Sequence, residues 1–190
     1  NKINDLLHKT LNLLMAIGIP SVIGAWMLSK EIVIIVGGDS FIGASIPLTI
    51  LMFSFAFSLV GGSFLGNMVL LPSQNEKTYM IICCVTAVIN VILNYLLIPK
   101  WGACGAAFTT AFSSFLIMIM LLIKKDKNIK LNYIKNAMLS PCVGSALIGI
   151  YCMIIGKFIE SIMLKTVICV LGSVFVYGVV LIVLKNDIVF

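Results

Sequence analysis

Lys77-Thr-Tyr-Met-Ile-Ile-Cys-Cys-Val-Thr-Ala-Val-Ile-Asn90-Val-Ile-Leu-Asn94-Tyr-Leu-Leu-Ile98 carries no charged side chain after its first residue. It reaches the roughly 20 residues that an α-helix needs to cross about 30 Å of hydrocarbon. Backbone groups in lipid must be satisfied within the segment or within a closed barrel. The run lacks the alternating, roughly ten-residue pattern of barrel strands, so it reads as a helix. Working outward, five more segments have the same character: about 10–29, 45–71, 103–123, 134–156 and 161–184. Hydrophobic residues make up 61% of the chain and charged ones 11%, more apolar surface than an aqueous domain of this size can hide. The expected fold is an all-α integral membrane protein, a six-transmembrane-helix bundle spanning residues 1–190.

The net charge of +6 comes from thirteen lysines without arginine. These lysines lie in or near the breaks between spans, so membrane orientation explains them and nucleic acid is not the expected partner. The richest polar stretch is Lys124-Lys125-Asp126-Lys127-Asn128-Ile129-Lys130, followed by Lys135. If it is cytoplasmic, alternation puts nine lysines inside and four outside (Lys30, Lys100, Lys157, Lys165). The positive-inside tendency then places both termini in the cytoplasm. The chain begins at Asn1 without a signal-peptide pattern, which suggests a missing N-terminal part.

Enzymatic chemistry is poorly served. The sequence offers no paired carboxylate, no His-based dyad and no Gly-rich phosphate loop. The single His8 and six scattered cysteines form no CxxC or His/Cys ligand pattern, so no metal or cofactor is expected. Asp5, Glu31, Asp39, Glu76, Asp126, Glu160 and Asp187 all fall at or near span ends, leaving no obvious ionisable group at the midplane for ion coupling. A phosphate would meet lysine or backbone amides, never the bidentate fork of arginine.

Pro47, Pro72 and Pro99 fall at expected span ends, whereas Pro20 and Pro141 lie inside apolar segments and invite kinks. Gly62 and Gly66 form a GxxxG, and Gly102 and Gly105 cluster where the fourth span begins. Small residues allow close helix approach in lipid. Thr86, Asn90 and Asn94 share one face of the third span at i, i+4, i+8. The fourth span carries Ala106, Thr110, Ser113 and Ser114, and the second carries Ser54, Ser58, Ser63 and Asn67. An amide in hydrocarbon is costly unless paired, so these faces should point into the bundle or a wet cavity. Two readings stand side by side: interhelical hydrogen bonding, or a polar lining for a path.

The stretch from Asn90-Val-Ile-Leu-Asn94 through Ile98-Pro99-Lys100-Trp101-Gly102 to Gly105-Ala106-Ala107-Phe-Thr-Thr110 resembles a recurring signature, N-x-x-L-N-x-x-L-I-P-x-x-G-x-x-G-A-A-x-x-T. It is similar to the Wzx-like polysaccharide and O-antigen repeat-unit flippases of the multidrug/oligosaccharidyl-lipid/polysaccharide (MOP) exporter superfamily. Ile19-Pro20, Leu28-Ser29, Ile32-Val33-Ile34-Ile35 and Gly37-Gly38-Asp39-Ser40-Phe41 extend the resemblance, as does the second span ending at Asn67-Met-Val-Leu-Leu71. Gly37 departs from it, standing where an apolar or aromatic residue is usual. The resemblance covers about Asn12 to Ser114, and the last two spans match in hydropathy alone.

That resemblance implies one C-terminal lobe of a two-lobe transporter with twelve to fourteen helices, in a bacterial cytoplasmic membrane. It implies export of polyprenyl-diphosphate-linked oligosaccharide repeat units for cell-surface polysaccharide, with a missing N-terminal lobe and glycan polymerase machinery as partners alongside membrane lipid. Asn67, Asn90, Asn94 and Thr110 would line a polar path between lobes, and Lys77 would meet the headgroup on the cytoplasmic side. A multidrug, ion-coupled exporter of the same superfamily is one alternative. A non-transport polytopic protein of glycan assembly is another, although a polymerase should carry a long extracytoplasmic loop and the outside breaks here are short.

Overall fold

The computed structural model describes residues 2–124, 131–159 and 161–183, with side chains from residue 7 in the first helix and from residue 141 in the sixth. Its helices are α1 (Lys2–Met27), α2 (Ser29–Gly37), α3 (Ser45–Ser58), α4 (Glu76–Trp101), α5 (Ala103–Lys124), α6 (Leu131–Phe158) and α7 (Ile162–Val183). A 3-10 turn (Asp39–Ala44) precedes α3, and a π-helix (Leu59–Leu70) continues it. Six stretches are long and apolar enough to cross a membrane: Leu7–Met27, Asp39–Leu70, Glu76–Trp101, Ala103–Lys124, Pro141–Phe158 and Ile162–Ile182. The protein is an all-α membrane helical bundle, as its hydropathy pattern requires.

Some boundaries differ from the sequence-based expectation. Lys30–Ala44, expected as a break, is mostly helical. The apolar run Ile32–Val36 sustains α2 until Gly38, at φ +81, ends it. α4 runs two residues past Pro99 and stops at Gly102, whose φ is +54. A proline that close to a helix end frees only one carbonyl, and the glycine is the true terminator. α1 continues through Pro20, and the chain breaks at Leu28 between α1 and α2. Pro141 likewise lies inside α6, fully buried. Most of the lysine-rich stretch, residues 125–130, lies outside the described residues.

The chain divides into two compact units. The first comprises residues 1–45 and 130–190, and the second comprises residues 46–129. In the first, α1 packs along α6, α6 along α7, and the short α2 rests on α7. Leu28, Ile148, Cys152 and Cys169 form its buried cluster, flanked by Tyr151, Ile155 and Tyr177. Two glycines allow those tyrosines to sit close. A Cβ at Gly144 would lie 2.7 Å from the Tyr177 ring, and one at Gly172 would collide with the Tyr151 hydroxyl.

In the second unit α4 and α5 form an antiparallel hairpin, and the π-helix packs on α5. Leu65 and Leu121 are fully buried there. Other faces carry bare hydrocarbon: Val91 is 66% exposed and Tyr95 82% on α4, and in the first unit Val174 is 69% and Phe175 74% on α7. In lipid such surface costs nothing, whereas in water it would be an aggregation hazard.

Candidate functional site

Four polar side chains of the second unit, Asn90, Asn94, Thr109 and Ser113, meet at the seam between α4 and α5. Asn90 Nδ2 donates to Ser113 Oγ at 3.0 Å, and Asn94 Nδ2 donates to Asn90 Oδ1 at 2.9 Å. Thr109 Oγ1 lies 2.5 Å from Asn94 Oδ1 and 2.9 Å from the Ala106 carbonyl, both within donating range. The result is a directed chain, Thr109 to Asn94 to Asn90 to Ser113. Each carboxamide in it uses one donor and its acceptor oxygen. One turn from the end of α4, the Gly105 position meets the Leu97 carbonyl, which a Cβ would approach to 2.6 Å. The contacts step by four and then three residues up α4 and by four residues down α5, the geometry of an antiparallel pair meeting on i, i+3 and i+4 faces. Thr86, on the same α4 face, is buried and donates to the carbonyls of Ile82 (2.8 Å) and Cys83 (3.0 Å).

Thr110 stands apart from this seam. It is exposed, and its hydroxyl donates only to Ala106, in its own turn, at 2.9 Å. The residue that reaches α4 is Thr109, fully buried, which the stripe beginning at Ala106 passes over. Gly105, Thr109 and Ser113 form a second i, i+4, i+8 series, the same spacing as Thr86, Asn90 and Asn94. Matching those two series as antiparallel partners is the sequence signal that selects Thr109.

On the α3 side, Ser54 and Ser114 share a hydroxyl hydrogen bond at 2.9 Å. Gly66 is a close-approach position, where a Cβ would lie 2.6 Å from the Tyr79 ring. The other close approach is at Gly61, where a Cβ would lie 2.8 Å from the Met118 backbone. Gly62, by contrast, has only Ser58 Oγ of its own helix nearby, at 3.4 Å. Gly102 is exposed and meets nothing within 4 Å, so its service is to turn the chain rather than to pack helices. Asn67 and Lys77 are both exposed, on the π-helix and in the first turn of α4.

The first unit holds a cavity of about 310 Å³, lined by Pro20 and Gly24 of α1, Leu28 at the break after it, Ile148 of α6, and Ser173 and Tyr177 of α7, among others. The Tyr177 hydroxyl is buried without a hydrogen-bond partner among the described residues. Glu31 of α2 and Lys165 of α7 form an ion pair, their side chains 13% and 24% exposed. Ile32 and Thr166, which follow them in sequence, line the cavity. Among the described residues no three His, Cys, Asp or Glu side chains gather into a metal-binding group.

Among the described residues the arrangement offers hydrogen-bonding groups, the Glu31–Lys165 ion pair and an apolar cavity, the kinds of group that hold and orient an amphiphile. A family model described as Lipid II flippase MurJ matches residues 1–179. A comparison with curated proteins returned no match.

Proposed function

The chain belongs to the lipid II flippase MurJ family, of the MOP exporter superfamily, and from that premise we propose that it forms one lobe of a flippase for lipid-linked oligosaccharide. The observation that carries the reading is a family match over nearly the whole length of a bundle with six membrane-crossing stretches. The lobe works against a complementary lobe in a bacterial cytoplasmic membrane, with both termini on the cytoplasmic side. The energetic problem is to pass a polyprenyl-diphosphate-linked saccharide headgroup through hydrocarbon while its tail stays in the bilayer. A polar groove lowers that cost, and lysine or helix N-termini offset the diphosphate charge.

In this reading Lys77 and Asn67, both exposed, touch the headgroup. Asn90 and Asn94 are bonded across the α4–α5 seam, and they fix the shape of the wall from which Thr110 projects. Lipid II is the substrate that the family match supports. A polysaccharide repeat unit of O-antigen or capsule type is the second reading, supported by the Asn90–Thr110 signature.

The test is a vesicle assay with the complete transporter, in which a fluorescent headgroup is quenched from one side. Protein-dependent movement of labelled lipid II, with little movement of a repeat-unit lipid, is the expected result. The reverse preference selects the second reading. Absence of both movements, by folded protein, overturns the proposal.

A further inference from the structure

The cavity of the first unit follows from how its helices pack. α6 is the floor, with α1 packed along it and α7 packed along it, and α2 rests on α7. Between α1 and α7 a space of about 310 Å³ remains, with Leu28 and Ile32 at its α2 end. Small residues keep it open. Gly24 and Ala25 line it on α1, and a Cβ at Gly24 would meet nothing within 4 Å. Ser21, Val170 and Val174 line it and are exposed, so its mouth lies between α1 and α7, within two membrane-crossing stretches. A molecule that partitions into the bilayer meets the mouth at that depth.

The wall selects a class of ligand. Among the described residues no charged side chain lines it, and the neighbouring Glu31 and Lys165 neutralise each other. Most of the lining is hydrocarbon, interrupted by four hydroxyls. Two of these are committed within their own helices: Ser21 Oγ donates to the Ile17 carbonyl at 2.7 Å, and Thr166 Oγ1 to the Ile162 carbonyl at 2.8 Å. The other two, Ser173 and Tyr177, stand one turn apart on α7. Among the described residues Ser173 Oγ meets only the Cys152 sulfur, at 3.7 Å, and the buried Tyr177 hydroxyl has no partner. A buried donor without an acceptor is costly, so a ligand oxygen that reaches it gains more than it would from water. An apolar concavity with a few placed polar groups is the usual make-up of a small-molecule site. The volume is about twice that of a 150 Å³ cavity that takes up benzene, which sets the ligand at roughly ten non-hydrogen atoms.

We propose that this cavity is a binding site for small neutral amphiphiles of the alkanol class. The hydrocarbon chain lies between α1 and α7, and the hydroxyl bonds to Ser173 and Tyr177. The site needs only the first unit and does not rest on the flippase reading.

The experiment is photolabelling of the full chain in phosphatidylcholine vesicles with 1-octanol that carries a diazirine in its tail. Adducts mapped by mass spectrometry should saturate and should concentrate on the lining, at Leu28, Ile148 and Val170. Unlabelled octanol should compete at a membrane concentration about tenfold below that of octane. Tyr177→Phe keeps the ring on Gly144 and removes the hydroxyl, so the apparent affinity for octanol should fall about fivefold, the worth of one hydrogen bond. Ser173→Ala should act in the same direction. Gly24→Leu puts a side chain into the space and should abolish saturable labelling. Labelling that does not saturate, or that persists in folded Gly24→Leu, overturns the site. Equal competition by octane, or unchanged affinity in both folded Tyr177→Phe and Ser173→Ala, marks a slot for hydrocarbon chains and overturns the alkanol assignment. Should Gly24→Leu not fold, saturation and the octanol-against-octane comparison in the unaltered chain decide the matter. Loss of lipid translocation with saturable octanol labelling intact counts against the flippase reading alone.

Discussion

Thr109 places its hydroxyl 2.5 Å from the Asn94 side-chain oxygen, from a position on α5 that has no solvent exposure. Its neighbour Thr110 bonds only within its own turn. The two residues are chemically identical and adjacent, so they isolate the worth of the seam. Thr109→Val should destabilise the second unit by about 1–2 kcal/mol, because it leaves the Asn94 acceptor without its donor. Thr110→Val should stay within about 0.5 kcal/mol. Reversible unfolding in mixed detergent micelles measures both, and equal losses would mean that the seam contributes nothing specific.

That contrast also shows how far the sequence could be read. Hydropathy alone located six crossings, since a 20-residue apolar run has few other stable uses. The polar face of α4 was legible for the same reason: Thr86, Asn90 and Asn94 repeat at the helix period. The partner face on α5 was not, because Thr109 and Thr110 are adjacent and only tertiary pairing distinguishes them. The GxxxG spacing points to Gly62 as a helix contact, yet Gly61, one residue earlier, is the position that abuts Met118, and only the tertiary packing distinguishes the two. The Glu31–Lys165 pair joins residues 134 apart, and no local pattern announces such a meeting.

Asn94→Leu and Asn67→Leu should separate wall from path. Asn94 accepts a hydrogen bond from Thr109 across the seam and donates one to Asn90 within α4, so its loss should cost about 1–2 kcal/mol and lower the amount of folded protein. Asn67 is exposed, and its replacement should leave stability unchanged or slightly raised. If Asn67 meets the headgroup, flux per folded molecule falls in Asn67→Leu. Normal flux there, measured by headgroup quenching in vesicles, removes Asn67 from the path, and the same outcome for Asn94→Leu removes Asn94.

The ion pair between α2 and α7 makes an ordered prediction. Lys165→Met leaves Glu31, only 13% exposed, without its counter-charge, and should cost roughly 2–4 kcal/mol. Glu31→Gln should cost less, because the longer lysine stem can carry its charge toward water. The double variant should recover part of the Lys165→Met loss, since no orphan charge remains. Thermal unfolding of the four proteins in one detergent gives the ranking. A double variant weaker than Lys165→Met would mean that the pair is not what the single variant removed.

Two glycines of α6 should respond to alanine with opposite signs. A Cβ at Gly144 would stand 2.7 Å from the Tyr177 ring, beside the first unit's cavity, whereas one at Gly149 would meet nothing within 4 Å. Alanine is the better helix former by about 1 kcal/mol, so Gly149→Ala should stabilise the protein by up to that amount. Gly144→Ala has the same intrinsic gain, but the methyl group must push the ring out of its seat against α6. Overpacking of this kind costs about 1–3 kcal/mol, enough to reverse the sign. The ring also bounds the cavity, so the displacement should change the cavity volume as well as the melting temperature. Xenon or a brominated alkane, observed crystallographically in both variants, reports the first quantity, and thermal unfolding reports the second. If both alanines stabilise equally, Tyr177 does not rest on Gly144 in the membrane, and the packing of α6 against α7 must be redrawn.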